Sequence, residues 1–126
     1  MKFDEYRLSK EVKRNLFEMG FRRPTDIQFK CIPHIPRGED VLAIAQTGTG
    51  KTAAFAIPII DKIQQIKYKS NEKGSVVRVV VMAPTRELAQ QITQVFNQIG
   101  VHTKVKALCI YGGVEQDQQI NKLLEG

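Results

Sequence analysis

The sequence contains no tryptophan and only two cysteines, and these scarcities exclude several classes of protein. Cys31 and Cys109 are far apart and form no Cys-x-x-Cys pair, so neither a disulfide framework nor a zinc site is indicated. We expect both to be reduced thiols in the core. The longest apolar run, 53–60, is far too short to span a bilayer, and the amino end has no apolar signal core. The sequence therefore predicts a cytoplasmic protein with no membrane partner.

Acidic residues are also scarce relative to basic ones. The 126 residues include 13 acidic and 19 basic side chains, which gives a net charge of +6. This excess favours a polyanionic partner, but a solvated basic surface without any partner gives the same numbers. The length suits one globular unit with a single core.

Apolar spacing predicts an amino-terminal pair of helices and then three strand–helix units. Ser9 is a candidate cap for the first helix, and Pro24 and Thr25 open the second. Strands are predicted at 41–45, 76–82 and 103–111, each followed by a helical pattern. Such an alternation implies an α/β fold of three layers, with a parallel sheet and helices on both faces. The polar stretch 67–75 is predicted to be an exposed, mobile connection.

The most specific pattern is the glycine-rich turn AQTGTGKT at 45–52. It matches the phosphate-loop pattern G-x-x-x-x-G-K-[ST] except at its first position, where Ala45 replaces glycine. Because a predicted strand precedes it and a helix follows, backbone N–H groups and the positive helix end would surround a phosphate. Lys51 would lie against the β and γ phosphates, and the Thr52 hydroxyl would bind Mg²⁺. A turn without a ligand needs neither residue. The predicted nucleotide-binding residues here are Gln46, Thr47, Gly48, Thr49, Gly50, Lys51 and Thr52.

Four further features accompany this loop. They are Phe3, the span GFRRPTDIQ at 20–28, the segment PTRELA at 84–89, and the pair Gly112-Gly113. With the phosphate loop, they occur in the order and type seen in DEAD-box RNA helicases, and the chain resembles the amino-terminal part of such a helicase. The resemblance implies a RecA-like phosphate-loop fold. It also implies RNA-stimulated ATP hydrolysis coupled to separation of short RNA duplexes or to remodelling of RNA–protein complexes, with ATP and Mg²⁺ as cofactors and RNA as partner.

The resemblance also implies a domain layout. Residues 1–126 would form the amino-terminal part of a helicase ATP-binding domain, with the Q motif at 3–28, the phosphate loop at 45–52 and motif Ia at 84–89. The sequence contains no Asp-Glu-Ala-Asp or Ser-Ala-Thr stretch and no second domain. We therefore expect the chain alone to be catalytically incomplete, with the remaining helicase core as a partner. We also expect an incomplete sheet with open edges.

Two residues are implied in adenine binding. The Gln28 amide presents a donor beside an acceptor, which matches N6 and N7 of adenine. The Phe3 ring would stack on the base. The residues themselves leave alternatives open, because Thr25 and Gln28 also form a capping-box pattern and Phe3 would equally serve as an apolar anchor for the first helix.

Two segments are implied in RNA binding. Pro84, Thr85 and Arg86 would hold the sugar-phosphate backbone, with Glu87 in a supporting role. Gly112–Gly113 would let the backbone approach RNA closely because neither residue has a Cβ. As alternatives, Thr85 is an ordinary helix cap and the double glycine a plain turn.

The other charged residues carry no motif. His34 and His102 are expected on the surface or in connectors, and Lys104, Lys106 and the 67–73 cluster on solvated faces. Two alternative functions stay open: a nucleotide- or RNA-binding module without catalysis, and a phosphate-loop ATPase outside RNA metabolism.

Overall fold

The computed structural model describes residues 1–46, 48, 50–66, 76–113 and 115–125. Thr47 and Thr49 of the phosphate loop lie outside the described residues. So does the predicted connection 67–75, with its cluster of lysines.

Five α-helices and two short 3₁₀ helices account for the regular structure of the described residues. The 3₁₀ helices are Phe3–Glu5 and Ile35–Arg37. The α-helices are α1 (Lys10–Glu18), α2 (Asp26–Cys31), α3 (Lys51–Gln65), α4 (Arg86–Ile99) and α5 (Gln116–Glu125). Ser9, Thr25 and Thr85 cap the first turns of α1, α2 and α4, since each hydroxyl accepts the N–H three residues later. Each predicted helix is present, and Pro58 lies within α3.

The core is built around α3. This helix packs against α1, α2 and α4. Alanines on its first turns allow close approach, and Ile57 and Ile60 are fully buried. They meet Leu16 of α1 and Ile99 of α4 within one apolar cluster. The helix that follows the phosphate loop is consequently the most enclosed element of the described chain.

Two buried polar side chains fix α1 to its neighbours. The Asp61 carboxylate of α3 accepts the Ser9 N–H through Oδ1 at 2.7 Å and the Gln65 amide through Oδ2 at 2.8 Å. Asn15 of α1 donates through Nδ2 to the carbonyl of Ile99, the last residue of α4, at 2.8 Å, and to that of Val101 just beyond the helix. These bonds satisfy helix-end groups that would otherwise be buried without partners.

The three predicted strands are not formed as hydrogen-bonded strands in the part of the chain that the structure describes. Leu42, Ile44 and Met82 of these segments are 92%, 89% and 90% exposed. Most residues of the segments 76–83 and 104–110 line one open cleft of about 770 Å³ beside α3 and α4. A strand becomes regular only when a neighbour pairs with it along its length, and no such ladder is present between these segments among the described residues. Segment order and helices nevertheless follow the predicted alternation.

No helix among the described residues is long and apolar enough to cross a membrane.

Candidate functional site

Gln28 joins α2 to the phosphate loop. Its Oε1 accepts the Thr25 N–H at 3.0 Å, while its own N–H donates to Thr25 Oγ1 at 3.4 Å, so the capping box is present. The Nε2 group donates to the Gly50 carbonyl at 3.2 Å. The side chain is only 3% exposed. An amide offers two donor hydrogens and two acceptor lone pairs, so one of each stays available beside these bonds. Adenine contact by Gln28 stays a prediction.

Gly50 is a residue of the loop that Gln28 contacts directly. Its φ is +79°, a left-handed conformation that glycine adopts without strain. A Cβ placed on it would lie 2.4 Å from Gln28 Nε2. The loop therefore needs glycine at position 50 for its backbone shape and for the space that Gln28 occupies. Gly48, with φ of +82°, turns the chain two residues earlier.

Lys51 and Thr52 open α3, which begins without a side-chain cap. The first N–H groups of such a helix have no intrahelical partner and attract anions. Lys51 is exposed, and its Nζ donates to the Ala45 carbonyl at 2.7 Å, so the ammonium lies across the loop. Thr52 is half-buried in the first turn. This arrangement of glycine turn, uncapped helix start and lysine fits a chain of phosphate groups.

Few of the described side chains near the start of α3 are suited to bind a divalent cation. No cluster of three or more His, Cys, Asp or Glu side chains suited to a metal occurs among the residues described. The Thr52 hydroxyl is the one ligand that the sequence assigns. Mg²⁺ is characteristically held by one or two protein oxygens together with phosphate oxygens and water, so Thr52 fits a cation that arrives with a nucleotide.

Phe3 lies in the apolar core. It is 3% exposed, and its ring centroid is 6.1 Å from those of both Phe21 and Tyr6. Its N–H donates to the Arg22 carbonyl at 3.1 Å. Burial also raises the pKa of the Tyr6 phenol. The geometry matches the anchoring alternative, and adenine stacking by Phe3, which would require its ring to become accessible, stays a prediction.

The two predicted RNA segments meet although 26 positions separate them. Arg86, the first residue of α4, donates through Nη2 to the Gly112 carbonyl at 2.8 Å. Its guanidinium carbon lies 4.7 Å from the centroid of the Tyr111 ring. Thr85 caps α4 as the alternative proposed, and Pro84 and Glu87 are exposed beside it. Sequence reasoning did not identify Tyr111, because a single tyrosine at a predicted strand end carries no pattern.

The two histidines and the two lysines that carry no motif lie on the surface, as the sequence predicts. His34 pairs with Glu39 at 2.6 Å, and His102 adopts a left-handed turn with φ of +62°. Lys106 is exposed; Lys104 is also exposed and donates to the Ile66 carbonyl. Neither cysteine forms a disulfide; Cys31 is buried and Cys109 is half-buried.

Solved structures with the same fold identify the architecture. The chain matches a DEAD box protein from the hyperthermophile Methanococcus jannaschii with a TM-score of 0.78 and 36% identity, over 99% of this chain and 32% of that one. It matches the RNA-helicase Prp28 from Chaetomium thermophilum, solved bound to ADP, with a TM-score of 0.81 and 31% identity, over 98% of this chain and 30% of that one. The fold is thus the α/β, RecA-like fold of DEAD-box helicase domains.

Sequence comparison then establishes the family. The DEAD/DEAH box helicase family model matches residues 25–126, and the chain belongs to this family. It is 46% identical over 121 residues to the DEAD-box ATP-dependent RNA helicase CshA of Geobacillus kaustophilus, covering 96% of this chain and 24% of that protein. It is 44% identical over 117 residues to the helicase RhpA of Helicobacter pylori, covering 93% of this chain and 22% of that protein. The chain thus spans about a quarter of the length of these relatives.

Proposed function

We propose that this chain is the amino-terminal, ATP- and RNA-contacting part of an ATP-dependent RNA helicase. The observation that carries the proposal is the bond between Gln28 and the Gly50 carbonyl, which brings a candidate adenine reader to the residue before Lys51. The names of the relatives support it, since CshA and RhpA are ATP-dependent RNA helicases. The Prp28 structure supports nucleotide binding, because that helicase was solved with ADP.

In this proposal the nucleotide is bound by three sets of groups. Gln28 and Phe3 contact the adenine, and the loop 46–50 with Lys51 binds the phosphates. Thr52 would bind Mg²⁺, and the bound cation would offset the negative charge of the phosphate groups. Lys51 must exchange its bond to the Ala45 carbonyl for one to a phosphate oxygen, and a full anionic charge is the better acceptor.

RNA is bound on a second surface. Pro84, Thr85, Arg86 and Gly112–Gly113 form it, by contacts to the sugar-phosphate backbone that carry no sequence information. The acidic groups that activate water would come from the remainder of the helicase core, which we propose as the structural partner. Under this proposal the protein acts in the cytoplasm without a membrane partner.

Substitution of Lys51 tests the proposal in the complete helicase that contains this chain. Lys51→Ala is expected to lower RNA-stimulated ATP hydrolysis by a factor of about 10² to 10³, as the loss of a preorganised charge on a transferring phosphate does. Lys106→Ala removes another exposed lysine as the matched control and is expected to have little effect. Turnover is measured with and without single-stranded RNA.

The outcomes separate the competing functions. Unchanged turnover in Lys51→Ala would refute the assignment of Lys51. ATP hydrolysis that RNA does not stimulate would favour an ATPase outside RNA metabolism, and ATP binding without hydrolysis a non-catalytic module.

A further inference from the structure

The guanidinium of Arg86 is directed at the protein's own backbone. Its Nη2 donates to the Gly112 carbonyl at 2.8 Å, and its central carbon lies over the Tyr111 ring, 4.7 Å from the centroid. Arginine holds such a position well because its planar group stacks on an aromatic face while its edge donates hydrogen bonds. Both contacts are to the segment 111–113.

Tyr111 is itself fixed by two helices. Gln90 of α4 donates through Nε2 to the Tyr111 hydroxyl at 3.4 Å, and Gln119 of α5 accepts the Tyr111 N–H through Oε1 at 3.1 Å. Gln90 lies four residues after Arg86, on the same face of α4. Tyr111 is therefore held through its hydroxyl by α4 and through its backbone by α5.

The glycine turn fits closely against the same arginine. Gly113 has φ of +86°, and a Cβ on it would lie 3.0 Å from Arg86 Nη2. A Cβ on Gly112, in contrast, would meet no heavy atom within 4 Å. The turn is thus packed on the side of α4 and open beside Gly112, where a ligand backbone could approach.

We propose that Arg86 and Tyr111 are positioning residues that hold the Gly112–Gly113 turn in the shape that contacts RNA, so that Arg86 supports RNA binding through the turn instead of neutralising a phosphate. This inference rests on the proposed RNA-binding function and changes the role of Arg86 within it. A phosphate contact releases counterions and steepens the salt dependence of binding, whereas an arginine bonded to a carbonyl does neither.

The test measures RNA affinity against salt concentration for the complete helicase and its variants. Arg86→Ala and Tyr111→Leu are each expected to weaken RNA binding about tenfold. A loss of this size is typical when one hydrogen bond or one cation–π contact is removed. The slope of log affinity against log salt stays unchanged in both variants. The double variant is expected to be no weaker than either single one, because the two residues act as one unit.

Conservative variants keep the test decisive if a truncation perturbs folding. Arg86→Lys retains the charge but loses the planar fork, so a positioning role predicts that it binds as weakly as Arg86→Ala. Tyr111→Phe keeps the ring and loses only the hydroxyl, so it is expected to lose less affinity than Tyr111→Leu. Thermal unfolding of each variant confirms that it is folded.

Three results would overturn the inference. A slope reduced by about 0.7 in Arg86→Ala would identify a direct phosphate contact on single-stranded RNA. Full affinity in Arg86→Lys would show that charge alone is sufficient, and full affinity in Tyr111→Leu would show that the ring is not needed. Failure of the unsubstituted helicase to bind RNA would instead refute the proposed function, which is a distinct outcome.

Discussion

Gln28 combines a structural and a proposed binding role in one side chain. Its bond to Thr25 is local, which is why the capping box could be predicted from four consecutive residues. Its bond to Gly50 crosses 22 positions, and no sequence pattern encodes that distance. The contact between Arg86 and Gly112 is of the same kind: the motifs were predicted, but their meeting depends on how the chain packs.

Substitution of Gln28 by glutamate tests the proposed adenine contact. Glutamate also completes a capping box, but it replaces the donor to the Gly50 carbonyl with a buried carboxylate, so Gln28→Glu is expected to lose some stability as well. It lacks the amide donor, so its preference for ATP over GTP is expected to fall by a factor of about 10 to 100, the range for loss of a paired base contact. Calorimetric titration with ATP and with GTP measures the ratio of the two affinities. Repulsion by the new charge would weaken the binding of both nucleotides equally and would leave this ratio unchanged.

Thr25→Ala is the matched control for this experiment. It removes the cap hydroxyl but leaves the Gln28 amide, so it is expected to cost about 1 kcal/mol of stability while preserving the preference for ATP. An unchanged preference in Gln28→Glu would contradict the adenine assignment.

At the scale of elements, the helices follow from local signals and the strands do not. Ser9, Thr25 and Thr85 are hydroxyl caps that precede apolar residues at helical spacing, and each starts a helix within the described chain. The apolar runs at 41–45 and 76–82 have strand composition, but a ladder also requires a lateral partner that composition does not supply. The buried side chain of Asp61 was not predicted, because its partner Ser9 lies 52 positions away.

Asp61 tests how strongly α1 is held on α3. It is 6% exposed, and Asp61→Ala would leave the Ser9 N–H without its acceptor. The free energy of unfolding is expected to fall by about 1 to 3 kcal/mol, the range for loss of hydrogen bonds to a charged group. Urea titration followed by circular dichroism measures it.

Two control variants sharpen this measurement. Asp61→Asn retains a carbonyl oxygen for Ser9 and is expected to lose less stability than Asp61→Ala. Asp117→Ala removes an exposed carboxylate and is expected to change stability by less than about 0.5 kcal/mol. Equal stability of Asp61→Ala and the unsubstituted chain would show that α1 does not depend on this bond.

At the scale of the whole molecule, apolar surface is the unusual property. Leu42, Ile44 and Met82 are almost fully exposed, and valines at 76–81 add to the same kind of surface. Contiguous exposed apolar area of this type promotes association. For comparison, the chain covers 32% of the Methanococcus jannaschii protein that it matches, so most of that protein has no counterpart in these 126 residues.

The 126-residue chain alone is therefore expected to bind a hydrophobic dye and to self-associate. Dye fluorescence and sedimentation velocity measure the two effects. Leu42→Lys with Met82→Lys is expected to lower both, because charge on exposed segments opposes edge pairing. Lys2→Gln, an exposed change that leaves these segments intact, is the matched control. A monomer that binds no dye would contradict the exposure of these segments.

The position of Gly50 also constrains which substitutions the sequence can accept over time. The volume that a side chain at position 50 would fill already contains the Gln28 amide, so two distant parts of the sequence share one residue-sized space. A side chain at position 50 would displace this amide and would also strain the left-handed backbone, whereas an exchange of Gln28 leaves the glycine undisturbed. Position 50 should therefore vary less than position 28 among descendants of this sequence.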